Sequence, residues 1–279
     1  MQLTPEQVKG RIKNVAKENK ADARTLMRIY MMERFLERVA SSQYKDNFII
    51  KGGMLVTAMV GVALRSTMDI DTSIKNQNLS TEDARRIVDE IKDIDLGDGV
   101  PFEVKEASNI MDEMEYPGIR FTMNAVMGKL VTPMKIDIST GDVITPRAIE
   151  YNYKLLLDDR SISLWSYNLE TILAEKLQTV LARGLLNTRM RDFYDIKTLL
   201  SIYEQDIDAD VLKKAFEATC KKRSTENLKE EAPKIIAVVS DDAQLHTLWK
   251  LYQKKYPHAA DISYEDIMES TMLLWSKIH

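Results

Sequence analysis

The sequence predicts an α+β protein of two lobes, a mixed sheet with flanking helices followed by a helical bundle. Three patterns carry this. Residues 1–42 repeat apolar side chains at helical spacing, the centre shows short period-two runs broken by turn residues, and from Asn168 onward helical spacing returns. The first lobe is expected over residues 1–162, with N-terminal helices at 1–42 and the sheet at 47–158. The second is expected over 163–279.

Each element has its own signal. Thr4-Pro5-Glu6-Gln7 sets a capping threonine before a proline at the first helical position, with Gln7 closing a capping box. A second helix follows from about Ala23, where Leu26, Ile29, Tyr30, Leu36 and Val39 recur on one face. Asn47 to Lys51 reads as a strand entering Gly52-Gly53, and Met54 to Val60 as a short helix. Met68 to Ile74 alternates as a half-buried strand should. Ser80 caps a helix to about Ile91, and strands are predicted at Pro101 to Ala107, Ile119 to Met127 and Leu130 to Ser139. Asp158-Asp159-Arg160-Ser161 interrupts the pattern at the expected lobe boundary. Asn168 then caps a helix from Leu169 to Arg183 that Gly184 closes, another spans about Thr188 to Tyr203, and about three more follow, the last opening at Ser263.

Composition excludes several classes. Cys220 is the only cysteine, so a disulfide within the chain and a Cys-rich zinc site are ruled out. All three histidines, His246, His258 and His279, lie near the C-terminus with no matching nucleophile motif. No apolar run is long enough for a membrane span, and the polar start lacks the apolar centre of a signal peptide, which points to the cytoplasm and to no membrane partner. The net charge of −4 gives no global sign of nucleic-acid binding, leaving only a local basic patch for that purpose.

The chemistry concentrates in three places. Gly52-Gly53 follows a strand and precedes Arg65-Ser66-Thr67-Met68-Asp69-Ile70-Asp71. Residues two apart on a strand share a face, so Asp69 and Asp71 present paired carboxylates while Ile70 enters the core. Two carboxylates that close repel unless a cation lies between them. Magnesium, with manganese as a substitute, suits such a pair and completes its shell with water and phosphate oxygens. The glycines let backbone N–H groups approach a phosphate, and the helix that follows adds its positive end. An Asp-x-Asp pair alone is usually a solvated strand edge, but here it stands on a strand–turn–helix–strand pattern.

The second place is Lys135-Ile136-Asp137-Ile138, where a neighbouring strand would bring Asp137 to Asp69 and Asp71 for a two-metal phosphoryl transfer. A surface salt bridge between Lys135 and Asp137 is the alternative. The third is helical: Glu170 and Glu175-Lys176, then Arg189 to Asp195. Lys176 stands in an apolar stretch from which it can reach a triphosphate, and Asp192 and Asp195 share a helix face. Charges at that spacing otherwise form a solvated face.

Together, FIIKGGMLVTAMVG…LRSTMDIDTSI, KIDIST, LETILAEKLQTVLARG and NTRMRDFYDIKTLL resemble the AbiEii family of nucleotidyltransferase toxins. These belong to type IV toxin–antitoxin and phage abortive-infection systems and are related to the MenT toxins. The resemblance spans residues 48–200. It implies a polymerase β-type nucleotidyltransferase fold, a nucleoside triphosphate (NTP) as substrate, and tRNA or another RNA as acceptor. It also implies a cognate antitoxin as partner. On this likeness Asp69, Asp71 and Asp137 hold the metal, and Lys176 and Asp192 join them as catalytic residues. Gly52, Gly53, Arg65, Thr67, Lys176, Arg191 and Asp195 bind the nucleotide. The spacing from Gly53 to Asp69 is longer than in most polymerase β-type enzymes, so their phosphate loop does not transfer in detail. A patch of Lys213, Lys214, Lys221, Lys222 and Arg223, with Lys229 and Lys234 beyond, offers charge for an RNA backbone or is simply a soluble helix surface.

Two other functions compete. Glycosyltransferases also use Asp-x-Asp to hold a metal and a nucleotide sugar, but need neither Lys-x-Asp nor the helical Arg-Asp-x-x-Asp. A non-catalytic nucleotide-sensing or RNA-binding module has no reason to keep a repelling carboxylate cluster.

Overall fold

Thr4 caps the first helix in a full capping box with Gln7, with Pro5 at its first position. The structure is a computed structural model that describes residues 3–75, 80–110 and 118–279. The chain divides into two units, one of residues 1–142 with 148–166, the other of residues 143–147 with 167–279.

The first unit holds helices α1 (Pro5–Glu18), α2 (Ala23–Ser41), α3 (Gly52–Val60) and α4 (Thr81–Lys92). Its strands are β1 (Phe48–Lys51), β2 (Asp69–Ile74), β3 (Phe102–Ile110), β4 (Gly118–Met127), β5 (Leu130–Thr140), β6 (Ile149–Lys154) and β7 (Ser161–Ser166). They form one mixed sheet in the order β3-β4-β5-β2-β1-β7-β6. β2 runs parallel to β5 and antiparallel to β1, while β1 runs parallel to β7.

Strand alternation separates two faces. Ile50, Ile70, Phe121, Met123, Ile136 and Ile138 are all buried on one, and α2 covers that side. The apolar stripe of α2 includes Leu26, Ile29, Phe35, Leu36 and Val39, each no more than 1% exposed. One polar anchor lies within this layer. Glu33 of α2 accepts the Leu156 N–H on both carboxylate oxygens, at 3.0 and 3.1 Å, and the Tyr153 hydroxyl at 3.3 Å. Burial drives the Glu33 carboxyl up to about 8, against those hydrogen bonds.

The β6–β7 hairpin was missed in the sequence, where Asp158-Asp159-Arg160 reads as a lobe boundary and belongs instead to the turn region of the hairpin. β6 is an outer strand, largely exposed, in which Glu150, Asn152 and Lys154 alternate with Ile149, Tyr151 and Tyr153 as a strand should. The glycine-rich helix also starts earlier than periodicity suggests, at Gly52.

The second unit is helical: α5 (Leu169–Arg183), α6 (Met190–Tyr203), α7 (Ala209–Lys222), α8 (Leu228–Ser240), α9 (Ala243–Lys255) and α10 (Tyr264–Ser276). Asn168 caps α5 through the Thr171 N–H, and Ser263 with Asp266 forms the capping box of α10. α5 packs on α6, α7 and α8, and α6 packs on α9 and α10. No helix among the described residues is long and apolar enough to cross a membrane.

Candidate active site

β2 and β5 lie side by side in parallel, with Asp69 opposite Lys135 and Asp71 opposite Asp137. Paired residues and residues two apart share a sheet face, so Asp69, Asp71, Lys135 and Asp137 stand together opposite the isoleucines of the core. The sheet register thus supplies the neighbouring strand that the Lys-x-Asp motif required.

The double glycine is explained by what approaches it. Gly52 opens α3 at φ +59°, and a Cβ there would fall 2.1 Å from Asp71 Oδ2. A Cβ on Gly53 would fall 2.5 Å from Thr67 Oγ1 and 3.3 Å from an Arg65 terminal nitrogen. No larger residue fits either position. Gly53 N–H donates to Asp71 Oδ2 at 3.1 Å, and Lys51 caps α3 without a side-chain hydrogen bond. The helix therefore begins with its positive end beside the acidic pair.

Arg65 and Thr67 are 2% and 3% exposed. Arg65 donates to the Ser66 carbonyl and Thr67 Oγ1 to the Asp69 carbonyl at 3.3 Å, which stiffens the approach to β2. Gly52, Gly53, Arg65, Thr67, Asp69 and Asp71 are thereby brought into one cluster.

Electrostatics in that cluster are unfavourable by construction. Burial, and then the Asp137 charge, raise Asp69 above the usual carboxylate range, with Lys135 and Arg120 opposing. Burial and Asp137 raise Asp71 as well, against the Gly53 N–H and Lys51. Such a pair has the chemistry of a divalent-cation site, since a cation relieves both effects at once. Asp137 has a partner in hand: Arg120 of β4 grips it through two hydrogen bonds of 2.8 Å. Among the described residues no group of three or more His, Cys, Asp and Glu side chains is arranged to hold a metal as it stands.

Two groups here escaped sequence reading. Arg120 is paired with Asp137 in the β4–β5 register. Lys51, opposite Asp71, makes a 2.5 Å ion pair with Asp142, which also accepts the Ser139 hydroxyl at 2.8 Å. Period-two alternation puts Arg120 on the polar face of its strand, but only register reveals its partner.

The helical motif forms a cluster within the second unit. Lys176 Nζ lies 3.1 Å from Asp192 Oδ1 and 2.5 Å from Asp195 Oδ2, with Asp195 fully buried. Arg191 points elsewhere, its guanidinium 3.4 Å from the Tyr256 hydroxyl. Glu170, also singled out in the sequence, accepts the Asp208 N–H at 3.1 Å. The basic patch is partly internal. Arg223 donates to Gln178 and to Thr179 Oγ1 and is itself mostly buried, while Lys229 pairs with Glu217 at 2.7 Å.

A protein-family model described as "Nucleotidyl transferase AbiEii toxin, Type IV TA system" matches residues 34–270. No curated protein matches the chain. Among solved structures, that of JHP933 from Helicobacter pylori superposes with a TM-score of 0.50 at 14% identity, covering 92% of this chain and 94% of that one. At that identity the likeness is one of fold. A putative nucleotidyltransferase from H. pylori gives a TM-score of 0.48 at 17% identity, covering 91% and 96%. An antigenic nucleotidyltransferase-like protein from Paracoccidioides brasiliensis gives 0.43 at 13% identity, covering 78% and 94%.

Proposed function

The chain belongs to the AbiEii family of nucleotidyltransferase toxins, and from that premise we propose that it transfers a nucleotide from an NTP to the 3′ end of an RNA, tRNA foremost. The acceptor hydroxyl oxygen attacks the α-phosphorus, the bond to the bridging oxygen breaks, and pyrophosphate leaves. The acceptor proton passes to a carboxylate of the cluster. Transfer onto tRNA would stop translation, in keeping with a growth-blocking toxin restrained by a cognate antitoxin and serving phage defence.

One observation supports this most: Asp71, which shares its sheet face with Asp69, stands against a double-glycine helix start that admits no side chain. Asp69 and Asp71, with Asp137 opposite, are the residues that would hold magnesium or manganese. When bound, the cation neutralises phosphate oxygens and activates the attacking hydroxyl. The protein's own part is positional. Gly53 N–H fixes the Asp71 carboxylate, Arg120 orients Asp137, and the first turn of α3 offers N–H groups to phosphate oxygens. Thr67 and Arg65 brace the glycine turn. Lys176 and Asp192 would complete the catalytic set and Asp195 would join the nucleotide-binding residues, with Lys176 a cation for phosphate charge developing in the transition state.

The deciding experiment incubates the protein with each radiolabelled NTP and total cellular RNA, in parallel with labelled nucleotide sugars. Label entering RNA from an NTP supports the reading. Label entering any acceptor only from a nucleotide sugar would replace it with glycosyl transfer.

A further inference from the structure

The sheet face that carries the acidic pair stays open to solvent along β5. Val131, Pro133 and Lys135 alternate there and are all exposed, and the same face closes over only at Asp137 and Ser139. Lys135 pairs in register with Asp69 on β2 and with Thr122 on β4. Thr122 and Asn124 are half-buried on that same face of β4.

Lys135 differs from the other cations around the pair. Arg120 is taken up by Asp137 through two hydrogen bonds of 2.8 Å, and Lys51 by Asp142 at 2.5 Å. The salt bridge to Asp137 that would make Lys135 ordinary surface packing is not formed, because Arg120 holds that carboxylate. Among the described residues Lys135 makes no hydrogen bond and no ion pair. Neighbouring strands lie about 4.8 Å apart, so Lys135 is within side-chain reach of anything seated on Asp69.

The strand order gives this lysine a side of the reaction. In the run β4-β5-β2-β1, α3 follows directly from β1, and its Gly53 N–H donates to Asp71. The strand of Asp69 and Asp71 therefore has the helix start on its β1 side and Lys135 on its β5 side. In-line displacement puts the attacking and leaving oxygens on opposite sides of the α-phosphorus. With the triphosphate tail at the first N–H groups of α3, pyrophosphate leaves on the β1 side and the acceptor hydroxyl arrives over β5. Its oxygen bonds to the α-phosphorus as the bridging bond breaks, and its proton passes to a carboxylate of the cluster.

The strand that brings this hydroxyl is a polyanion. Its first charge beyond the terminal ribose is the phosphate that joins it to the preceding nucleotide. We propose that Lys135 binds that phosphate, and that the open β4–β5 face with Thr122 and Asn124 is the track by which the RNA acceptor enters. Lysine suits the task as a flexible point charge that holds a phosphate without fixing its pose. This rests on the transfer reading for the identity of the ligand. It adds the acceptor's side of approach and the residue that seats it.

The test uses the full chain, with transfer followed as RNA and NTP are varied in turn and binding of a fluorescein-labelled oligoribonucleotide followed by anisotropy without NTP. Lys135→Ala should raise the KM for RNA about tenfold or more and leave the KM for NTP unchanged, as a lost charge-assisted contact to the acceptor alone requires. The log–log salt slope of RNA binding should fall by about 0.7, one phosphate contact on a single strand, and Lys135→Arg should restore both values. Thr122→Glu places a carboxylate across the strands from Lys135 and should weaken RNA binding without removing the lysine. Thermal melting of each variant confirms that the exposed positions leave the fold intact. A raised KM for NTP with an unchanged KM for RNA overturns the proposal, because Lys135 then serves the triphosphate. Unchanged RNA binding in Thr122→Glu overturns the β4–β5 track. If RNA binding depends on Lys135 but no NTP label reaches RNA, the phosphate contact stands and the transfer reading fails. If label is transferred and Lys135→Ala leaves the KM for RNA and the salt slope unchanged, the transfer reading stands and the contact fails.

Discussion

Gly52→Ala probes the site through its geometry. The residue sits at φ +59°, where an L side chain costs about 1–2 kcal/mol. Its new methyl would also lie 2.1 Å from Asp71 Oδ2 and 2.7 Å from Asp71 Cβ, so Asp71 has to move by an ångström or more. That movement breaks the 3.1 Å bond from Gly53 N–H, a charge-assisted contact worth about 1.5–3 kcal/mol. Gly61→Ala supplies the control, since Gly61 has φ +87° and nothing within 4 Å of its virtual Cβ. Urea unfolding should show both variants losing the backbone contribution, with Gly52→Ala losing about 2 kcal/mol more. In the NTP-to-RNA assay Gly61→Ala should keep wild-type turnover. Gly52→Ala should fall by about a hundredfold, the usual consequence of displacing a catalytic group by 1 Å. If the two variants match in both stability and turnover, Asp71 is not held against the glycine turn for function and the phosphate-site argument collapses.

Three further outcomes follow from the same physics. Lys176→Ala leaves Asp195 buried without its cation and should destabilise the second unit by about 3–5 kcal/mol. Adding Asp195→Asn should recover part of that stability but no transfer activity, and recovery of turnover would mark Lys176 as structural only. Glu33 has a folded pKa of about 8 against an ordinary 4.5, so its proton stabilises the fold. Its contribution is complete below about pH 4.5 and is lost as pH rises through 8, on the order of 4–5 kcal/mol at ~1.36 kcal/mol per unit. Glu33→Gln should flatten stability across pH 5–8, and an unchanged pH profile in urea unfolding would refute the buried acid. Asp69→Asn should leave stability equal or higher at neutral pH because it removes a carboxylate raised by burial and by Asp137. A clear loss of stability in a melting experiment would show that the cluster is not repulsive.

The fold class was legible because its signals are local. Helical spacing, the Thr4 and Ser263 capping boxes and the Asn168 cap each depend on a few neighbouring residues, and each is present. The glycines and Asp-x-Asp were legible as a motif, while their reason became visible only with Asp71 and Thr67 folded against them. Arg120 and Lys51 were missed because their partners, Asp137 and Asp142, are distant in sequence and are delivered by strand register. The same holds for Arg191 and Tyr256, distant in sequence and brought together where α6 packs on α9. Conversely, the basic run around Arg223 promised more surface charge than the fold leaves free, since Arg223 turns inward to Gln178 and Thr179.

The central claim is that the Asp69–Asp71 pair powers nucleotide transfer. Its most direct test follows α-labelled NTP into total RNA with the wild-type chain and with Asp71→Asn, both checked for equal melting behaviour. Asparagine keeps an oxygen to accept the Gly53 N–H but loses the charge. Labelled RNA is expected from the wild type and none above background from Asp71→Asn. Equal labelling by the two proteins would contradict it.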